Sequence, residues 1–140
     1  MPQIPRNING VKISFASTVG NNVHQRVIDA LNFTISPNVA PGYRLEEVYI
    51  SSAFDGHTGN PSSNHHKKRA VDLSRINKTK MIIGYPRNPL VKKIVQNLQL
   101  KFESFNHKRE NFGPYLKKKS GISRPDIGGH KDHIHWSVNG

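Results

Sequence analysis

His133-Ile134-His135-Trp136-Ser137-Val138, near the C-terminus, alternates polar and apolar residues with the period of two that marks a β-strand. On such a strand Ile134 and Trp136 turn to one face and anchor it in a core, while His133 and His135 are held rigidly on the other. Upstream, Ala70-Val71-Asp72-Leu73-Ser74-Arg75-Ile76 follows the same rule. Val71 and Leu73 face inward, and Asp72 points to the open side with the small Ala70 leaving space beside it. His65 stands at the end of the preceding loop, seven residues before Asp72, where the chain can fold back to the same point. His65, Asp72 and His135 therefore form a candidate metal-ligand set. Three protein ligands with an open fourth position is the layout of a catalytic zinc site, whereas structural zinc is usually closed by four ligands, commonly cysteines. The chain has no cysteine. One Zn²⁺ per chain is the expected cofactor.

Around these two strands the remaining pattern is mixed. Val11-Lys12-Ile13-Ser14-Phe15 reads as a short strand. Val23, Val27, Ile28 and Leu31 recur at helical spacing, which predicts an amphipathic helix over 22–33. Residues 46–54 predict another strand, with Val48, Ile50 and Ser52 on one face and Tyr49 and Ser51 on the other. Residues 55–69 are polar and basic and read as an exposed loop. Asn88-Pro89 is a helix start, with a capping side chain and a proline at the first helical position. The stripe Leu90, Ile94, Val95, Leu98, Phe102 and Phe105 predicts a helix over 89–105. Residues 107–131, punctuated by Gly and Pro and carrying seven Lys/Arg, read as a long basic loop with room for one helical turn. Together these elements predict an α+β fold, a small antiparallel sheet with helices packed on it, in a single domain over 1–140.

Composition narrows the function. Without cysteine there is no thiol nucleophile, zinc finger or disulfide scaffold. A formal charge of +12, from 21 Lys+Arg against 9 Asp+Glu, calls for a polyanionic partner. Nucleic acid, an anionic membrane face and a phosphate- or carboxylate-rich bacterial wall all qualify. No apolar run of about 18 residues is present, so no membrane-spanning helix is expected. Met1-Pro2-Gln3-Ile4-Pro5-Arg6-Asn7 lacks the charged start and apolar stretch of a signal peptide, so synthesis in a cytoplasm is expected.

At this point the residues resemble a known family. Ser63-x-His65-x4-Ala70-x-Asp72 resembles the Ser-x-His-x-x-Gly-x-Ala-x-Asp signature of zinc-dependent peptidoglycan peptidases, the D-Ala-D-Ala carboxypeptidases and L-alanyl-D-glutamate endopeptidases of the Hedgehog/DD-peptidase fold. His133-x-His135-Trp136 resembles their closing motif. The resemblance covers about residues 46–76 and 126–138. It implies that His65, Asp72 and His135 are the zinc ligands and that Ser63 touches substrate near the scissile bond. The catalytic partner falls on Asp132, where the family commonly has Glu, or on His133, where other members have His. Lys68 stands at the signature's Gly. With no signal peptide and no separate wall-binding module, the chain resembles a single-domain phage endolysin or virion-associated lysin. Its expected partner is bacterial peptidoglycan, helped by anionic wall polymers. It is expected to be a monomer that reaches the wall after release or within a virion, and to bind nucleic acid only through non-specific electrostatics.

Two other readings compete. A metal-dependent nuclease would use Lys67-Lys68-Arg69 against a phosphate backbone. His-Asn-His nucleases, however, place the His at a strand end just before a helix, and here the cluster lies on the terminal strand with no helix after it. A non-catalytic metal-binding domain of the same fold is the other rival.

Overall fold

A computed structural model describes residues 2–53 and 68–140. Its strands are β1 (Asn7–Ile8), β2 (Val11–Phe15), β3 (Glu47–Ser52), β4 (Ala70–Ile76), β5 (Thr79–Lys80), β6 (Lys108–Phe112), β7 (Lys117–Lys119), β8 (Ile122–Ser123) and β9 (Ile134–Val138). Its helices are α1 (Gln25–Thr34), α2 (Met81–Gly84) and α3 (Pro89–Glu103). The strands form one sheet in the order β1-β2-β3-β4-β9-β6-β7-β8, with β5 paired to β4. The α+β class stands, with two corrections. The sheet is large, at nine strands among the described residues, and it is mixed, because β2 and β3 run parallel.

Helices α1 and α3 pack on each other and over β4, β6 and β9. Val27, Leu31, Val91, Ile94, Val95, Leu98 and Phe102 meet Val71, Leu73, Ile134 and Trp136 in one continuous apolar cluster. The Trp136 ring stacks on Phe102 at 4.8 Å between centroids and 7° between planes. Asn88 caps α3 as its sequence predicts, accepting hydrogen bonds from the N–H groups of Leu90 and Val91 at 3.0 and 3.2 Å. Helix α1 begins three residues later than its apolar spacing suggests. Asn22 is bridged to Gln3, the Val23 N–H donates to the Pro2 carbonyl, and the His24 side chain accepts from Arg26 N–H as the cap.

The predicted loop over 107–131 is the main error of the sequence reading. It contains β6, β7 and β8. Strand β6 is recruited by β9, a tertiary partner that local propensity does not reveal. Strands β7 and β8 are short and largely polar, the composition that protects a sheet edge from further pairing. They are joined at Ser120-Gly121, both at positive φ (52° and 81°), as a two-residue turn of the tight hairpin type requires. Asn9-Gly10 joins β1 to β2 in the same way.

A buried polar node fixes β6 against α3 and β9. The Asn111 side-chain oxygen accepts from Trp136 Nε1 at 2.9 Å and from Gln99 Nε2 at 3.0 Å. Its amide nitrogen donates to the Gln99 carbonyl and to Glu103 Oε2. Asn111→Ala strands the Trp136 indole N–H and one Gln99 side-chain N–H, the other still donating to the Leu116 carbonyl, and each stranded donor costs about 1–3 kcal/mol. We expect a loss of about 3 kcal/mol in urea unfolding, with loosening of the neighbouring Glu110 and Phe112. A loss below about 0.5 kcal/mol would show that the node does not hold β6.

Candidate metal centre

β4 and β9 are neighbours near the middle of the sheet, and their register sets Asp72 directly opposite His135. Leu73, Ile134 and Trp136 are buried beneath the helices, so strand alternation turns Asp72 and His135 to the opposite face. Asp72 Oδ1 lies 2.9 Å from His135 Nδ1, with the two side chains 17% and 13% exposed. The other ring nitrogen, Nε2, lies 3.1 Å from Glu110 Oε1. The Ser137 hydroxyl donates to the same Glu110 oxygen at 2.7 Å and accepts from the Glu110 backbone N–H at 3.1 Å. Phe112, the β6 neighbour of His135, lies nearly parallel to the imidazole, 5.9 Å away and tilted by 19°. The His135 ring is thus held on both nitrogens and one face.

Burial opposes a charge on His135, but the hydrogen bonds and charges of Asp72 and Glu110 outweigh it and push the pKa up to about 9. At neutral pH without metal the ring is an imidazolium donating to both carboxylates. Binding a cation requires loss of the proton on the coordinating nitrogen. Nδ1 faces Asp72, the other expected ligand, so Nδ1 is the nitrogen placed to share a cation with Asp72. Glu110 would then retain the Nε2 proton, the carboxylate partner that a metal-bound histidine usually has. Imidazole nitrogen and carboxylate oxygen are zinc donors, and in donor chemistry these two residues fit half of a zinc site.

Two of the three predicted ligands are therefore together. His65 and Ser63 lie outside the described residues, as do His57 and His66. Among the described residues alone, no group of three or more His, Asp or Glu converges on a metal position. At the start of the second described stretch, Lys68 adopts φ +61° and its carbonyl accepts from the His24 N–H at 2.8 Å. The position aligned with the signature's Gly thus adopts a left-handed backbone, which glycine takes without strain.

Asp132 and His133 lie just before β9. Asp132 Oδ1 is 2.8 Å from His133 Nδ1, and that hydrogen bond holds Asp132 below the ordinary carboxylate range. The His133 ring is 4.9 Å from His130, which in turn is 6.0 Å from His135. Burial, followed by nearby positive charge, lowers the His130 pKa despite its bond to the Gly128 carbonyl. Glu110 was not legible as a site residue because its segment reads as a loop. The signal it does carry is that it is the one acidic residue between His107 and Pro125, in a stretch dense with Lys and Arg. Compared with family models, curated proteins and solved structures, the chain matches none.

Two outcomes follow from this geometry. A non-glycine residue in the left-handed region costs about 1–2 kcal/mol, against the extra backbone entropy of glycine at about 0.5–1 kcal/mol. Lys68→Gly should therefore exceed Lys68→Ala in stability by about 0.5–1 kcal/mol; equal midpoints in urea would contradict the strained turn. Separately, the His135 pKa is raised above its unfolded value of about 6.5. In chelator its contribution is full below that pH and is lost as pH rises through about 9. The difference is about 3 kcal/mol. Glu110→Gln should shrink the loss and shift it to lower pH. A flat stability profile from pH 6 to 9.5 would disprove the two-carboxylate clamp.

Proposed function

We propose that this chain is a zinc-dependent peptidoglycan peptidase, cleaving an amide of the bacterial stem peptide as a carboxypeptidase or endopeptidase. We read its finer architecture as Hedgehog/DD-peptidase-like. The observation that carries this is the pairing of Asp72 with His135 across two adjacent strands, beside the hydrogen-bonded Asp132 and His133. The left-handed Lys68 at the signature's Gly position supports it independently.

In this reading Asp72, His135 and His65 hold the zinc. These residues would hold the ion, and the chemistry it would supply there is acidification of a water at neutral pH. Asp132 and His133 act as a unit. Asp132 occupies Nδ1 of His133, which leaves Nε2 to take the proton of the attacking water and return it to the leaving amine. Asp132, ionised at neutral pH, stabilises the imidazolium formed on the way. Ser63 contacts the substrate next to the scissile bond. Glu110, Ser137 and Phe112 position His135 rather than touch substrate.

The surroundings suit an anionic wall polymer. Lys117, Lys118 and Lys119 line one strand near the sheet edge, and such attraction weakens with salt. No helix among the described residues is long and apolar enough to cross a membrane. Action on the wall, after release or from a virion, belongs to the same proposal.

Purified protein should carry close to one zinc, lost in His65→Ala, Asp72→Ala and His135→Ala. It should release free amino groups from peptidoglycan, stop on chelation and recover with Zn²⁺. His133→Ala should keep zinc and lose about 10²–10⁴-fold in rate. Asp132→Asn should keep zinc and lose less. Plasmid DNA and RNA should stay intact with Zn²⁺, Mg²⁺ or Mn²⁺. Nicking that vanishes in His135→Ala, with no new amines from the wall, would replace the peptidase by a nuclease; zinc binding with neither turnover would leave a non-catalytic domain.

A further inference from the structure

Helix α2 is a single turn, Met81-Ile82-Ile83-Gly84, between β5 and α3. Met81 is fully buried, and Gly84 fits its place only for want of a side chain. A Cβ there would come within 2.8 Å of Val91 Cγ2 and 3.0 Å of Thr79 Cγ2. With positions 81 and 84 turned inward and the backbone held against Val91 of α3, the two residues between them turn outward. Ile82 is 56% exposed and Ile83 70%, the latter the most exposed large hydrophobic side chain among the described residues. Single apolar residues scattered over a surface are ordinary, but two adjacent β-branched ones on a tight turn make an apolar knob. Beside Ile82 the surface continues into an apolar hollow of about 240 Å³ lined by Tyr85, Pro86, Pro114 and Lys131.

The charge around the knob has one sign. Between Asp72 and Glu103 the chain has seven Lys/Arg and no acid. Lys78, Lys80 and Arg87 are exposed on the segments that flank α2, and Lys131 is exposed at the hollow. Asp132, hydrogen-bonded to His133, is the one carboxylate lining the two hollows that Ile82 borders. An apolar knob inside a collar of cations limits what can cover it. A dissolved polyanion such as nucleic acid satisfies the cations, yet it is gripped through aromatic stacking and hydrogen bonds, which isoleucine does not offer. A second copy of the chain would cover the isoleucines but press one cation collar on another. The surface of an anionic bilayer meets both demands at once, hydrocarbon for the knob and phosphate headgroups for the collar.

We infer that α2 is a membrane-docking tip: Ile82 and Ile83 enter the acyl boundary of an anionic bilayer while Lys78, Lys80, Arg87 and Lys131 lie among its headgroups. Attachment of this kind is peripheral, and its strength combines the apolar area buried with the attraction of each cation. A single turn, rising about 1.5 Å per residue, reaches no deeper than that boundary. The inference does not depend on the peptidase reading, because it uses none of the residues assigned to zinc or to proton transfer.

Co-sedimentation of the full chain with vesicles tests this, comparing equal parts of phosphatidylglycerol and phosphatidylcholine with phosphatidylcholine alone. The mixed vesicles should bind the chain, and phosphatidylcholine alone should bind it at least about tenfold more weakly. Ile82→Ser/Ile83→Ser should weaken binding to the mixed vesicles about tenfold, with an unchanged midpoint in urea. Lys80→Gln/Arg87→Gln should weaken it about fivefold per charge removed and flatten its dependence on salt. Trp136, the one native tryptophan, is buried, so Ile83→Trp reads insertion directly. Its added emission should shift to the blue on mixed vesicles and be quenched by brominated acyl chains. No binding to mixed vesicles at low salt, equal binding by the double serine variant, or the absence of a blue shift would each overturn the inference. Two further outcomes would also overturn it by naming another occupant. Loss of plasmid DNA binding in the double serine variant, as large as its loss of vesicle binding, would assign the tip to a dissolved polyanion. Dimers in sedimentation velocity that vanish in that variant would assign it to a second copy.

Discussion

The antiparallel register of β4 on β9 is the constraint from which the site follows. It sets Asp72 opposite His135, and the apolar residues on either side of each, Val71, Leu73, Ile134 and Trp136, lock that register by filling the core. Because side chains alternate with a period of two, a slip by one residue would bury the carboxylate and the imidazole and expose the tryptophan. The energy that holds these two side chains opposite each other is therefore the hydrophobic energy of their strand neighbours.

A second layer of control comes from β6. Asn111, buried and bonded to Trp136, Gln99 and Glu103, fixes this strand against α3, and period two then delivers Glu110 and Phe112 to the face that carries His135. Glu110 and Asp72 grip the imidazole from its two nitrogens. With a carboxylate at each nitrogen, the ring is fixed in orientation on the sheet's open face.

The charge distribution is uneven in a useful way. Of nine acidic residues in a chain of net charge +12, three (Asp72, Glu110 and Asp132) gather at the site. Cations occupy the groove beside it and the strands near the sheet edge. Such a distribution makes the surface broadly positive while concentrating carboxylates around His135.

How much of this was readable in the amino-acid order alone depends on where the information lies. Strand alternation around Asp72 and His135, the Asn88-Pro89 cap and the apolar stripe of α3 are local patterns, and they specified the central strands, the best helix and two of the site residues that meet. The α+β class followed from them. Segments whose structure depends on a distant partner were not legible. The Gly- and Pro-punctuated stretch 107–131 becomes strand because β9 offers it hydrogen bonds, and the apparent helix start at Asn22 is claimed by a bridge to Gln3. Glu110 became a site residue only when β6 was laid beside β9, and Arg75 met Lys80 only when Asn77-Lys78 turned β4 back on β5. Period and capping act over a few residues, so sequence determines them directly; which strand lies beside which is settled by burial and pairing across the whole chain, and only the tertiary structure decides it.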